Sequence, residues 1–208
     1  MTPDQVQKLF TRKDGSYVFA RWGRPIVPVV FGIDDTALGV VKGALEAVVA
    51  LAGHEMAETD MELGANLMVF FCRDWAELPL VPKLDHLVPD LAGLSARLQA
   101  AGAHHYRLFR FDEVGRIRAA FVFVRLAGAL TEVPAQDLAL NEAVQVILLW
   151  GEAAFDGAAA LVRVGQVAVL RPEIAAVIRA GYAPAMPAVA RDPAHALRLA
   201  ARVAVQQV

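Results

Sequence analysis

The segment from Ile26 to Cys72 constrains the fold more than any other part of the chain. Its β-branched run, Ile26-Val27-Pro28-Val29-Val30-Phe31, reads as a strand. Pro28 has no N–H to give to a ladder and so marks an edge or a bulge. Asp34, Asp35 and Thr36 then offer helix N-caps. Leu38, Val41, Leu45, Val48, Val49 and Ala52 recur at helical spacing, and Gly53 closes the helix. Ala65 to Cys72 (ANLMVFFC) is a second strand, apolar enough to be buried on both faces. Strand, helix, strand in this order is a crossover unit. A chain of 208 residues with 57% apolar and 20% charged side chains has ample material for a packed core around it.

The other segments build outwards from that unit. Residues 1–16 form an amphipathic N-terminal extension, and Tyr17-Val18-Phe19 an opening strand. Residues 78–89, with Pro79, Pro82 and Pro89, form a loop whose apolar residues keep it part of the domain. Asp90 caps a helix over Leu91 to Ala101 that Gly102 ends. Tyr106 to Phe111 alternates as a strand, Asp112-Glu113-Val114-Gly115 turns, and Ile117 to Leu126 returns as its partner. Arg107, Arg110, Arg116, Arg118 and Arg125 make this hairpin the most basic surface, read as a solvated sheet face or as an anion site. Asp137 to Glu152 reads as one apolar helix, and Gly157 to Leu170 as a strand pair around Gly165. Pro172 opens a helix over Glu173 to Ala180 that Gly181 ends, and Pro193 to Val205 makes a final amphipathic helix.

The predicted class is therefore α+β with an α/β-like N-terminal half. A mixed twisted sheet of about four to five strands carries a crossover helix, a central helix bearing polar residues, and C-terminal helices. Residues 1–208 are expected to form a single domain, with a core over 19–186 and a C-terminal helix over 190–208.

Several kinds of chemistry find no foothold. A net charge of −2 argues against a nucleic-acid partner, which would need a concentrated basic surface. The single cysteine, Cys72, has no partner for a disulfide or a cysteine metal cluster. No secretory leader and no membrane-spanning run is visible, so a soluble, cytoplasmic protein is expected. His54, His86, His104, His105 and His195 are scattered, and none forms the i, i+4 pair of a helical zinc site. His54 follows a helix end, where histidine meets the dipole. His104 and His105 begin a strand and so point to opposite faces. Ser16 and Ser95 lack a nucleophile-elbow setting, and no glycine-rich phosphate loop appears.

What remains is Asn141, Glu142 and Gln145 on the Asp137–Glu152 helix. At i, i+1 and i+4 they share one side of an otherwise apolar helix. Buried amides and carboxylates need partners. The trio is either a core hydrogen-bond network tying the helix to the sheet or the wall of a binding or catalytic pocket.

The order strand, helix, strand, hairpin, central helix and C-terminal helix is similar to that of zincin-like metalloproteases, the metzincins in particular. Asn141-Glu142-Ala143-Val144-Gln145 stands in the frame of their H-E-x-x-H motif, and Leu170 to Tyr182 resembles their final helix. The chain also resembles a bacterial family of uncharacterised, often lipoprotein-like proteins in which the motif is eroded to an E-E-x-x-Q type. Trp22-x-x-Pro25-Ile26, Asn66-Leu67-x-Val69 and Tyr182-x-Pro184-x-Met186 carry that likeness, which covers Phe19 to Met186. That family is often exported. The resemblance puts Glu142 at the general-base position and Asn141 and Gln145 at the first two zinc-ligand positions. Gly151 falls at the third and offers no ligand, and Leu148 replaces the usual glycine. Neutral amides are poor zinc ligands, so neither a metal nor another cofactor is expected.

The resemblance implies a non-catalytic zincin-like domain that acts in binding, on a protein or a small molecule, or as a structural accessory. One alternative is a hydrolase, metal-dependent or using Glu142 with a histidine recruited from elsewhere. Another is an oligomeric interaction module, with Leu197, Leu199, Val203 and Val205 of the last helix packing on a second copy, against the alternative that this helix docks on its own domain.

Overall fold

The structure is a computed structural model that describes residues 1–205. Helix α1 (Pro3–Leu9) opens the chain behind a Thr2–Gln5 capping box, and β1 (Phe19–Ala20) follows. Strand β2 (Pro28–Phe31), helix α2 (Asp35–Ala52) and strand β3 (Leu67–Cys72) then form the predicted crossover unit, with β2 and β3 parallel. The Asp34 carboxylate accepts from the Ala37 N–H, and Gly53 ends α2 in the left-handed region at φ 65°. Pro28 sits on an edge strand, because β2 pairs with β3 alone.

The proline-bearing loop contains a 3-10 turn (Trp75–Leu80) and the short α3 (Leu84–Leu87), before α4 (Leu91–Ala100). Asp90 does not cap α4 through its side chain, contrary to the sequence reading. Its own φ is 52°, and its carboxylate turns to Arg97 at 3.0 Å. Strands β4 (His105–Phe111) and β5 (Ile117–Arg125) form the expected hairpin, with Gly115 at φ 91° in the turn and a bulge at Arg110/Phe111.

Helix α5 (Ala135–Ile147) is shorter at its C-terminus than its apolar pattern suggests. Leu148 is already extended, so Trp150, Gly151 and Glu152 leave the helix. Strands β6 (Leu161–Val164) and β7 (Val167–Leu170) pair around Gly165. Helix α6 (Pro172–Tyr182) runs through Gly181 instead of stopping there. A Cβ at Gly181 would lie 3.2 Å from the Phe19 ring, so this glycine serves close packing and not a helix end. Strand β8 (Val189–Ala190) pairs antiparallel with β1, and α7 (Ala194–Val205) finishes the described chain.

The main sheet has the order β2-β3-β5-β4, with β2, β3 and β5 parallel and β4 antiparallel at the far edge. Its two faces build two cores. Val69, Val122 and Val124 meet residues of α2, α5 and α6, including Leu45, Val144 and Val177. Phe70, Phe121 and Phe123 meet Trp75, Leu94 and Leu98 on the other side. Alternation along β5 sends its side chains to both cores, which explains a strand buried almost throughout.

The hairpin is not one basic face, because each arginine is engaged separately: Arg107 with Glu142, Arg110 with the Leu87 carbonyl, Arg116 with Asp112, Arg118 with Glu62, and Arg125 with Gln99. The apolar face of α7 is used inside the chain, with Leu199 and Val203 buried in the same core as Val6 and Phe10 of the N-terminal segment. Leu197 and Val205 stay exposed. Among the described residues no helix is long and apolar enough to cross a membrane.

Candidate functional site

Alternation along β4 points His105, Arg107 and Phe109 to one face, and α5 lies across that face. Glu142 meets them from the helix, with 5% of its surface exposed. Arg107 Nη2 donates to Oε2 at 3.0 Å and to Oε1 at 3.3 Å. His105 Nδ1 lies 3.0 Å from Oε1, without the geometry of a hydrogen bond. Asn141 Nδ2 donates to Oε1 at 3.0 Å. Burial alone would raise the Glu142 carboxyl, but Arg107 and His105 outweigh it and hold the group below the ordinary glutamate value.

The predicted trio is thus divided. Asn141 and Glu142 belong to a polar cluster around buried Glu142, whereas half-buried Gln145, one turn on, faces a cleft. The cleft has a volume of about 640 Å³ and is lined by Lys13, His105, Arg107, Gln145, Trp150 and Glu152, among others. Glu142 sits behind Arg107 and His105 and does not line it. One wall is the free side of β4. The other is the N-terminal segment, where Arg12 pairs with Glu152 at 2.9 Å.

The C-terminal end of α5, which carries Gln145 towards the cleft, is held by aromatic donors. The last carbonyls of a helix have no partner within it. Here Val144, Val146 and Ile147 accept from Trp150 Nε1, Trp22 Nε1 and the Tyr182 hydroxyl, each at 2.8 Å. Trp150 also stacks on Phe10 with ring centroids 5.3 Å apart. The short sequence motifs therefore have structural duties. Trp22 and Tyr182 fasten α5. Buried Asn66 ties three segments together, accepting from Val27 N and donating to Pro25 O and Asp60.

Among the described residues, no group of three His, Cys, Asp or Glu side chains is placed to hold a metal ion. His54 Nε2 lies 2.9 Å from the Arg24 carbonyl, and His104 Nδ1 lies 3.3 Å from that of Arg125. His86 is exposed beside Asp85. Of the five histidines open to recruitment, His105 is the one that reaches Glu142, and sequence reasoning missed Arg107 as its second partner. The i, i+2 spacing of His105 and Arg107 was the available signal, since it places both side chains on one sheet face.

His195 is fully buried between α7 and the N-terminal segment. The Tyr17 hydroxyl is hydrogen-bonded with its Nδ1 at 2.7 Å, and the Phe19 ring lies 4.5 Å away. Burial first, and the charge of Arg198 second, bring its pKa from 6.5 down to about 4. The unfolded chain therefore binds a proton near pH 6.5 that the folded one refuses until about pH 4. Stability is full above that window and falls as pH drops through it, by roughly 2–3 kcal/mol. Urea titrations at pH 7.5 and pH 4.5 should show a larger loss for the wild type than for His195→Asn. Parallel losses in the two proteins would refute this assignment.

No known protein family matches the chain, and no curated protein or solved structure does so either. The fold and the site define a mixed α+β domain organised around a buried, cation-paired glutamate beside an open cleft.

Proposed function

We propose that this is a non-catalytic zincin-like domain that acts by binding in the cleft beside α5. The observation that carries this reading is the state of Glu142. A general base needs a free oxygen and a pKa near the working pH. Both oxygens of Glu142 are engaged by Arg107, and His105 and Asn141 also contact Oε1. Its carboxyl is held low, which makes it a poor proton acceptor. The crossover unit, the antiparallel edge strand β4 and a glutamate-bearing helix across it support the zincin-like part of the reading. The residues standing at the ligand positions, Asn141, Gln145 and Gly151, support the loss of zinc chemistry.

The rival hydrolase reading has one observation in its favour, the approach of His105 to Glu142. Arg107 holds the same carboxylate, however, so the pair is not a free base with its orienting histidine. Metal analysis of protein purified without chelator should find no stoichiometric zinc. Digestion of an unfolded casein substrate, with and without added zinc, should show no activity that Glu142→Gln abolishes. Stoichiometric zinc together with such activity would overturn the reading.

A further inference from the structure

We propose that the cleft takes an extended acidic peptide, which adds to the free edge of β4 as a fifth strand of the sheet. This rests on the reading of the cleft as the binding site and names what fills it.

In an antiparallel pair, residues alternate between those that exchange hydrogen bonds with the partner and those whose N–H and C=O point away from it. Arg125 N donates to His104 O at 2.8 Å, and 104 and 125 continue the register that pairs His105 with Val124. His104, Tyr106, Leu108 and Arg110 are therefore the residues bonded to β5. His105, Arg107 and Phe109 turn their backbone groups outwards. Ala120 N, donating to Asn66 O on the opposite side of β5, agrees with this phase. Among the described residues, the outward groups of His105, Arg107 and Phe109 have no hydrogen-bond partner.

Exposed strand edges are usually blunted by proline, by a bulge or by a covering segment. The outward stretch of β4 has no proline, its bulge comes only at Arg110/Phe111, and the cleft lies along it. An edge left open in this way accepts an extended chain by main-chain pairing, and pockets for alternate side chains give selectivity.

The charge of the cleft selects the peptide. Arg12, Lys13 and Arg107 line it against Glu152, in a chain whose overall charge is −2. Arg12 spends its charge on Glu152, and Arg107 on Glu142, whereas Lys13 is exposed at the rim. A strand added to β4 directs every second side chain to the face that holds Lys13, Arg107 and His105. Acidic residues at those alternate positions meet Lys13, which pairs with no carboxylate among the described residues, and lysines there meet like charge. The other set faces Tyr106 and Leu108, which suits apolar residues.

The probe is a labelled heptapeptide, Glu-Val-Glu-Val-Glu-Val-Glu, compared with its Lys-for-Glu counterpart and with a scramble that breaks the alternation. Fluorescence anisotropy at low salt should show the acidic peptide binding at least about tenfold more tightly than either control, with the preference shrinking as salt screens the charges. Lys13→Glu should weaken the acidic peptide by about fivefold or more, in keeping with the loss of a rim cation. In residue-resolved amide exchange, the peptide should slow His105, Arg107 and Phe109, and leave Tyr106 and Leu108 as they were. Equal binding of the lysine peptide, protection elsewhere on the molecule, or binding by neither peptide would each overturn the inference. The metal and hydrolysis results would still decide the non-catalytic reading by themselves.

Discussion

Glu142→Ala is expected to destabilise the protein by about 3–5 kcal/mol, the usual loss when one partner of a buried ion pair is removed. The alanine would leave half-buried Arg107, two residues along β4 from His105, without the carboxylate it meets. Arg107→Met alone should be comparably damaging, because it strands the carboxylate instead. The double variant Glu142→Leu/Arg107→Met should recover most of the loss, since an apolar pair of similar size often replaces a buried ion pair without penalty. Urea unfolding at pH 7 for all four proteins closes the cycle. A loss below about 1 kcal/mol for Glu142→Ala would place the cluster in the class of exposed ion pairs and sink the assignment. The pH sign is also set. The Glu142 carboxyl lies below its ordinary 4.5, so its stabilisation is present above that value and is lost as pH falls through the lower folded one.

The second large effect is expected at Trp22, 124 positions away from the carbonyl it serves. Trp22→Ala should cost about 3–5 kcal/mol as a buried aromatic truncation. Trp22→Phe keeps a ring in the site but leaves the Val146 carbonyl without its donor, an omission worth about 1–3 kcal/mol. The difference between the two separates packing from the hydrogen bond. The phenylalanine variant should also exchange its amides faster from Val144 to Leu149, because the last turn of α5 would be loosened where it borders the cleft. Wild-type stability and exchange in Trp22→Phe would show that indole N–H donation is not what holds the helix end.

These two expectations mark where the sequence is and is not readable. The unit from Ile26 to Cys72 is legible because each of its signals is local. Asp34 caps with its own side chain, Gly53 takes a positive φ, and β-branched runs flank a helical period. The shared side of Asn141, Glu142 and Gln145 follows from helix geometry alone. Where a helix stops without glycine or proline, the local signal vanishes. Nothing in Leu148-Leu149-Trp150 announces a break, and α5 ends there because Trp22, Trp150 and Tyr182 supply donors for its last carbonyls. Gly181 misleads for the converse reason. It looks like a helix end, but its missing Cβ is needed for the approach of Phe19.

The polar trio shows the same division. Sequence alone determined that a carboxylate and two amides lie on one side of an apolar helix, that partners must exist for whatever is buried, and that the residues in the metalloprotease frame are poor zinc ligands. Only the tertiary structure decided that Glu142 meets Arg107 and His105, that Gln145 parts from the other two, and that a cleft opens along β4. Helix and strand periods are properties of neighbouring residues, so a single chain displays them. The pairing of residue 142 with residues 105 and 107 depends on where the hairpin edge comes to rest against α5, and that is set by the packing of both cores together.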